Sequence, residues 1–259
     1  MTTFREMLRA ADGPVIGTFV KLPALEVAEI IAGAGFDFVI IDTEHALLSV
    51  RDVYGLLVAY SRSGVAPLVR VTDHGYGDGQ RYLDAGAAGL LVPHISNGEQ
   101  AAATMRQFLF PPEGTRGMGF AARAGQWGRL PGGRDEYVRA GHEDVARIAM
   151  VEEQEAVDDI AAIMAAPGVD GVFIGPGDLS LSMGEPSGSP AVHDAVTRCI
   201  KAAVAAGVPV GTVVQGADQV RLRAEQGCRF IVVGNDTGFL TSAARSAASS
   251  AREALSAVR

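Results

Sequence analysis

The chain has 259 residues, 30 acidic against 22 basic side chains for a formal net charge of −8, and 48% hydrophobic content. That length and apolar share suit one large α/β barrel or two small domains with a full core. The acidic balance lacks a basic cluster or aromatic–basic interleaving, which argues against nucleic acid; no apolar run nears the ~18 residues of a membrane span, which argues against a membrane.

The opening Met-Thr-Thr-Phe-Arg-Glu-Met-Leu-Arg carries charges where a signal peptide has its apolar region. It predicts a short amphipathic helix and a cytoplasmic protein. Cys199 and Cys228 belong to no metal-type spacing and read as reduced structural thiols. Lys21 and Lys201 are the only lysines, so few positions are open to imine chemistry.

Along the chain a unit recurs: a helical pattern, a glycine or small-residue stop, then a short β-branched run. Ala32-Gly33-Ala34-Gly35-Phe36-Asp37-Phe38-Val39-Ile40-Ile41-Asp42 is one copy, and Leu83-Asp84-Ala85-Gly86-Ala87-Ala88-Gly89-Leu90-Leu91-Val92-Pro93 another. Glycine ends a helix because it accepts positive φ, and continuous apolar runs mark strands covered on both faces. Eight strands are predicted, at 15–20, 38–42, 67–71, 89–92, 147–152, 171–174, 209–214 and 230–234. Helices are predicted between them at 24–32, 50–63, 98–107, 155–165, 191–206 and 217–225. This is the pattern of a TIM (β/α)8 barrel forming one domain over residues 1–259. A doubly wound open sheet is the alternative, but no G-x-G-x-x-G turn follows the first strand. Residues 111–144, with the only tryptophan, Trp127, form a long excursion expected to be a lid, a subunit contact or both. A tail helix over about 237–258, rich in Ala and Ser, can cover a neighbouring subunit as readily as its own barrel.

Barrel chemistry sits where strands end. The predicted ends carry Lys21, Asp42 with Glu44 and His45, Arg70, His94, Glu152, Asp178, Gln215, and Asn235 with Asp236. Glu152 and Asp178, on adjacent strands, fit hard-oxygen ligands of magnesium or manganese; equally they are two solvated acids. The run Gly175-Pro176-Gly177-Asp178 reads as a rigid turn presenting one carboxylate. Asp42 accepting from the His45 imidazole would leave a general base with raised pKa, though a histidine in a polar turn reads the same. Arg70 stabilises an oxyanion or pairs with an acid for structural reasons. His74, His142 and His193 read as solvated, and His94 as a possible substrate contact.

These motifs together, Phe38-Val39-Ile40-Ile41-Asp42-Thr43-Glu44-His45-Ala46, Pro67-Leu68-Val69-Arg70-Val71, Leu83-Asp84-Ala85-Gly86-Ala87, Gly114-Thr115-Arg116-Gly117, Val151-Glu152 and Ile174-Gly175-Pro176-Gly177-Asp178-Leu179-Ser180, resemble a known family. It is that of the metal-dependent (class II) pyruvate aldolases, which includes 4-hydroxy-2-oxoheptanedioate, 2-dehydro-3-deoxyglucarate and 2-keto-3-deoxy-L-rhamnonate aldolases. The resemblance implies a barrel of the phosphoenolpyruvate/pyruvate superfamily, a homohexamer (trimer of dimers) with the last helix exchanged, and a lyase of aromatic or sugar acid catabolism. It implies a divalent metal, Mg2+, Mn2+ or Co2+, on Glu152 and Asp178, with no imine-forming lysine. It further implies His45 as base, Arg70 as enolate stabiliser, Asp84 raising the basicity of the histidine, and the Gly177 backbone holding the carboxylate of pyruvate. The partner substrate is an aldehyde, and Arg123 reaches a neighbouring active site. The sequence departs from the family's frequent residues at Met150 (glutamine), Phe19 (tryptophan) and His94 (methionine), all expected to act on the substrate pocket. The rivals are an imine-forming aldolase on Lys21, an oxaloacetate-type decarboxylase or acyl-CoA ester lyase, and a non-catalytic barrel binding module.

Overall fold

The computed structural model describes residues 2–10 and 13–256. Eight parallel strands close in sequence order into a barrel: β1 (Val15–Val20), β2 (Phe38–Asp42), β3 (Ala66–Arg70), β4 (Gly89–Val92), β5 (Ala146–Val151), β6 (Gly171–Ile174), β7 (Val210–Val214) and β8 (Phe230–Asn235). Every neighbouring pair is parallel, so each return crosses over outside the barrel, mostly through helices.

Strand alternation divides the apolar side chains into two shells. In β2, Phe38 and Ile40 enter the bore with Leu68, Ile148, Phe173 and Phe230. Val39 and Ile41 point outward into the layer shared with the helices. The helix Phe4–Arg9, capped by a reciprocal Thr3–Glu6 box, inserts Phe4 beneath the bore. Its ring centroid lies 5.1 Å from that of Phe38 and 5.7 Å from that of Phe230. Gly17 makes room for this layer, since a Cβ there would sit 2.5 Å from the Phe38 ring.

Three segments differ from the sequence expectation. The single helix expected at 155–165 is two, Gln154–Asp158 and Ile160–Ala165, broken at Asp159, whose carboxylate accepts from the Gly98 amide. The Gly-Pro-Gly segment is not a free turn: Gly175 is the N-cap and Pro176 the first residue of a helix, Pro176–Ser182. Proline at that position loses no intrahelical hydrogen bond, so the helix begins where the sequence suggests a break. The 111–144 excursion holds a helix of its own, Gly133–Glu143, and is pinned to the barrel wall. Arg116 is 3% exposed, stacks 4.5 Å over Phe110 and reaches Asp84 at 2.9 Å.

The last helix, Asp236–Ser256, buries only its first residue. Leu240 and Leu255 are exposed along it. No helix among the described residues is long and apolar enough to cross a membrane.

Truncating Phe38 removes a fully buried ring that packs on both Phe4 and Phe230. Phe38→Ala is expected to lose about 3–5 kcal/mol of unfolding free energy. Urea denaturation followed by circular dichroism measures it, and a loss below about 1 kcal/mol contradicts a packed bore.

Candidate active site

Strand register brings the first pair together. Asp42 and Arg70 are opposite partners at the ends of β2 and β3. Arg70 donates from Nε and Nη2 to the two Asp42 oxygens at 3.0 and 2.8 Å, a bidentate fork. Both residues are buried. Burial raises the Asp42 pKa, but the Arg70 guanidinium, the His45 amide and Lys21 outweigh it and hold the carboxyl below its ordinary value. Lys21, just past β1, places Nζ 3.1 Å from Asp42 Oδ2.

The expected Asp42–imidazole bond is not formed. Asp42 Oδ1 instead accepts from the main-chain amides of Glu44 and His45, at 3.2 and 3.1 Å. The carboxylate fixes the loop that carries the histidine and leaves the ring loose. The His45 side chain is 51% exposed, and its Nε2 lies 3.8 Å from Glu44 Oε2.

On the other side of Arg70, Nη1 contacts Glu44 Oε2 at 2.9 Å without hydrogen-bond alignment. Glu44 Oε1 in turn lies 3.1 Å from His94 Nε2. His94 follows β4 and has φ +54°, a left-handed backbone uncommon for a side-chain-bearing residue. That conformation sends its amide to Glu152 Oε1 at 2.8 Å and places ring Nδ1 3.2 Å from Glu153 Oε1. Partial burial alone lowers the His94 pKa; the flanking Glu152, Glu153 and Glu44 overcome this and raise it.

His74, expected to be solvated, braces this turn. Its Nε2 meets the Pro93 carbonyl at 2.8 Å while Nδ1 meets the Gln100 amide at 3.0 Å. A donating Gln100 fixes the tautomer with the proton on Nε2.

Glu152, one residue past β5, is 1% exposed. Its Oε2 has no hydrogen-bond partner among the described residues. Burial pushes its pKa well above the usual carboxylate range; His94 opposes this, while the charges of Glu44 and Asp178 add to it. Gly175 is required beside it, because a Cβ there would sit 2.6 Å from Met150 Cε and 3.0 Å from Glu152 Oε2. One donor atom each from Glu44, His94 and Glu152 lies within 4.8 Å of the others. An orphaned buried carboxylate oxygen within a set of hard oxygen donors and one imidazole fits a divalent cation. Asp178 is outside that cluster, half-buried in the first turn of Pro176–Ser182. Neither Glu44 nor His94 is singled out as a metal donor by spacing in the sequence; strand order around the barrel brings them to Glu152.

The remaining expected residues fall into two places. Phe19 lies under Arg70, 5.0 Å from ring centroid to Cζ, and meets Phe173 edge-on. With buried Met150 these rings make an apolar floor below the charged mouth. Gly177 lines open space, for a Cβ there would meet nothing within 4 Å.

Asp84 and Arg123 sit instead on the flank. Asp84 binds Arg116 and Tyr137, each at 2.9 Å, and none of its hydrogen bonds reaches His45. Arg123 donates to the Ala85 carbonyl at 2.7 Å. A groove of ≈ 470 Å³ opens on this flank, lined by Leu83, Arg116, Arg123 and Tyr137, and includes none of the mouth residues.

Asp42→Asn leaves Arg70 buried without its counter-charge, and is expected to cost about 3–5 kcal/mol at pH 7. The depressed native pKa means that Asp42 contributes stability above its unfolded value, ~3.9, and loses it as pH falls from there through the native value. Urea titrations between about pH 3 and 7 should therefore show the gap between wild type and variant narrowing below about pH 4. A constant gap contradicts the assignment.

Residues 15–243 match the family model described as HpcH/HpaI aldolase/citrate lyase. The chain is 36% identical over 244 residues to a hydroxypyruvate/pyruvate aldolase of Delftia acidovorans, covering 93% of this chain and 89% of that one. It is 35% identical over 243 residues to a 2-keto-3-deoxy-L-rhamnonate aldolase of Salmonella gallinarum, with the same coverage. Among solved structures, an HpcH/HpaI aldolase/citrate lyase family protein of Burkholderia cenocepacia superposes with a TM-score of 0.90 at 35% identity, over 97% of this chain and 100% of that one. The chain belongs to the HpcH/HpaI aldolase/citrate lyase family.

Proposed function

We propose that this aldolase forms and cleaves 4-hydroxy-2-oxoacids through the enolate of pyruvate, with His45 as base and a divalent cation on Glu152 and Asp178. The observation that carries the reading is the buried, unpartnered Oε2 of Glu152 beside Gly175, on the segment that bears Asp178. When bound, the cation supplies Lewis-acid polarisation of the 2-oxo group.

The chain's own groups do the rest. Gly177 leaves room for the pyruvate carboxylate against the backbone. The His45 imidazole, half-exposed and unclaimed by Asp42, takes the methyl proton in synthesis. In cleavage it takes the proton of the 4-hydroxyl, the C3–C4 bond breaks, the aldehyde leaves and the three-carbon fragment regains a proton as pyruvate. Arg70, clamped by Asp42 and Glu44, keeps a fixed positive charge at the mouth and spends no reorganisation in meeting the enolate oxygen. The apolar floor of Phe19, Met150 and Phe173 strengthens these interactions by excluding water from one side. Lys21 Nζ is engaged by Asp42, which disfavours an imine.

We place the enzyme in the cytoplasm as a hexamer. The Asp236–Ser256 helix, almost wholly exposed on its own barrel, suits exchange onto a neighbour. The shared flank of Asp84 and Arg123 suits reach into that neighbour's mouth.

The test is exchange of the pyruvate methyl protons in D2O, followed by NMR with no aldehyde present. Exchange is expected with Mg2+, Mn2+ or Co2+, to stop on chelation, and to fall by a factor of about 100 or more in His45→Gln. Full exchange after exhaustive chelation, or borohydride trapping of pyruvate on Lys21, overturns the reading. A second outcome concerns Gly177. Gly177→Ala should fold normally, since its Cβ meets nothing, yet raise the KM for pyruvate about tenfold or more. An unchanged KM removes Gly177 from the carboxylate site.

A further inference from the structure

The feature left over is His94. It is strained, half-exposed, and surrounded by carboxylates at a position where the expected partner is a substrate and not an acid. We propose that His94 is a nitrogen ligand of the cation at Glu152, so that this site favours borderline cations such as Ni2+, Co2+ and Zn2+ over Mg2+. The inference rests on the reading that Glu152 holds a divalent cation.

Three observations point the same way. The first is donor geometry. Donors in an octahedral shell ~2.1 Å from a cation lie about 3 Å apart along each edge. His94 Nε2 and Glu44 Oε1 are 3.1 Å apart, and one donor atom each of Glu44, His94 and Glu152 lies within 4.8 Å of the others.

The second is the orphan: Glu152 is buried, keeps Oε1 on the His94 amide, and leaves Oε2 without a partner among the described residues.

The third is support from behind. A metal-bound imidazole holds its other nitrogen on a carboxylate. With Nε2 turned to the cation beside Glu44, His94 has one ready at Nδ1, Glu153 at 3.2 Å. Glu153 is itself fixed by the Ser96 hydroxyl at 2.8 Å, and the preceding Pro93 carbonyl by His74. A left-handed histidine held by so many neighbours is the kind of local strain that marks a functional position.

Imidazole shifts a hard oxygen site toward later divalent metals, while Mg2+ gains little from it. The chemical consequence is a selectivity change at one position, with Glu152 untouched.

The experiment compares wild type with His94→Met and His94→Asn. Asparagine tolerates the left-handed backbone and keeps the amide on Glu152, so it separates loss of the ring from collapse of the turn. Mn2+-loaded wild type is expected to show histidine 14N coupling in pulsed EPR. Both variants should still bind Mn2+ but lose that coupling. In both, calorimetry should show the Ni2+/Mg2+ affinity ratio falling by roughly tenfold or more. Mn2+ binding without histidine coupling in wild type, or coupling that survives in both variants, overturns the proposal and leaves the metal-dependent aldolase reading standing. A wild-type protein that binds no divalent cation overturns both.

Discussion

The site depends on one buried ion pair. Asp42 and Arg70 meet because β2 and β3 are in register to their last residues. Removing two charges from water is costly, and a buried pair of this kind offers specificity more than stability. Here the specificity is positional. Asp42 takes the fork of Arg70 on its side chain and the amides of the next loop on the same carboxylate. Arg70 passes the constraint on to Glu44, and Glu44 to His94. A chain of alternating charge, from Lys21 to Glu152, is thus laid across the barrel mouth from a single strand pairing.

That chain is tolerable only because of what lies below it. The bore is filled by Phe4, Phe38, Phe230 and Phe173, with Phe19 and Met150 as the uppermost layer. Charges above such a floor feel a lower effective dielectric on one side, which strengthens well-placed contacts and penalises misplaced ones. Glu152 shows the penalty: buried, with one oxygen unpartnered, its carboxyl is driven toward the neutral form. Asp42 shows the reward, remaining ionised although fully buried.

The barrel was legible in the sequence because parallel strands buried on both faces are continuous apolar runs, and all eight occur where those runs do. The mouth was legible as a ring of polar residues at strand ends. What could not be read were contacts fixed by backbone direction. Spacing places His45 three residues after Asp42, but only the loop conformation decides that the amide and not the ring meets the carboxylate. Gly-Pro-Gly signals a break, and Pro176 at the first helical position turns it into a start. Arg116 reads as one of several loop arginines until Phe110, Tyr137 and Asp84 close around it. Glu44, His94 and Glu152 come from three different strand ends, so their meeting is a property of barrel closure.

The charge balance at the mouth has a consequence for what can enter. Lys21 and Arg70 are matched by Asp42 and Glu44, each already in contact. Glu152, Glu153 and Asp178 remain, and among the described residues His94 is the side chain able to carry positive charge that pairs with Glu152 and Glu153. An anionic substrate such as a 2-oxoacid therefore meets an excess of carboxylate, and Coulomb repulsion in a half-dry mouth opposes its binding. In the proposed site, a cation on the acids would reverse the sign and give the substrate a reason to approach Arg70 and Gly177. Binding of cation and 2-oxoacid would then be coupled through electrostatics, each favouring the other.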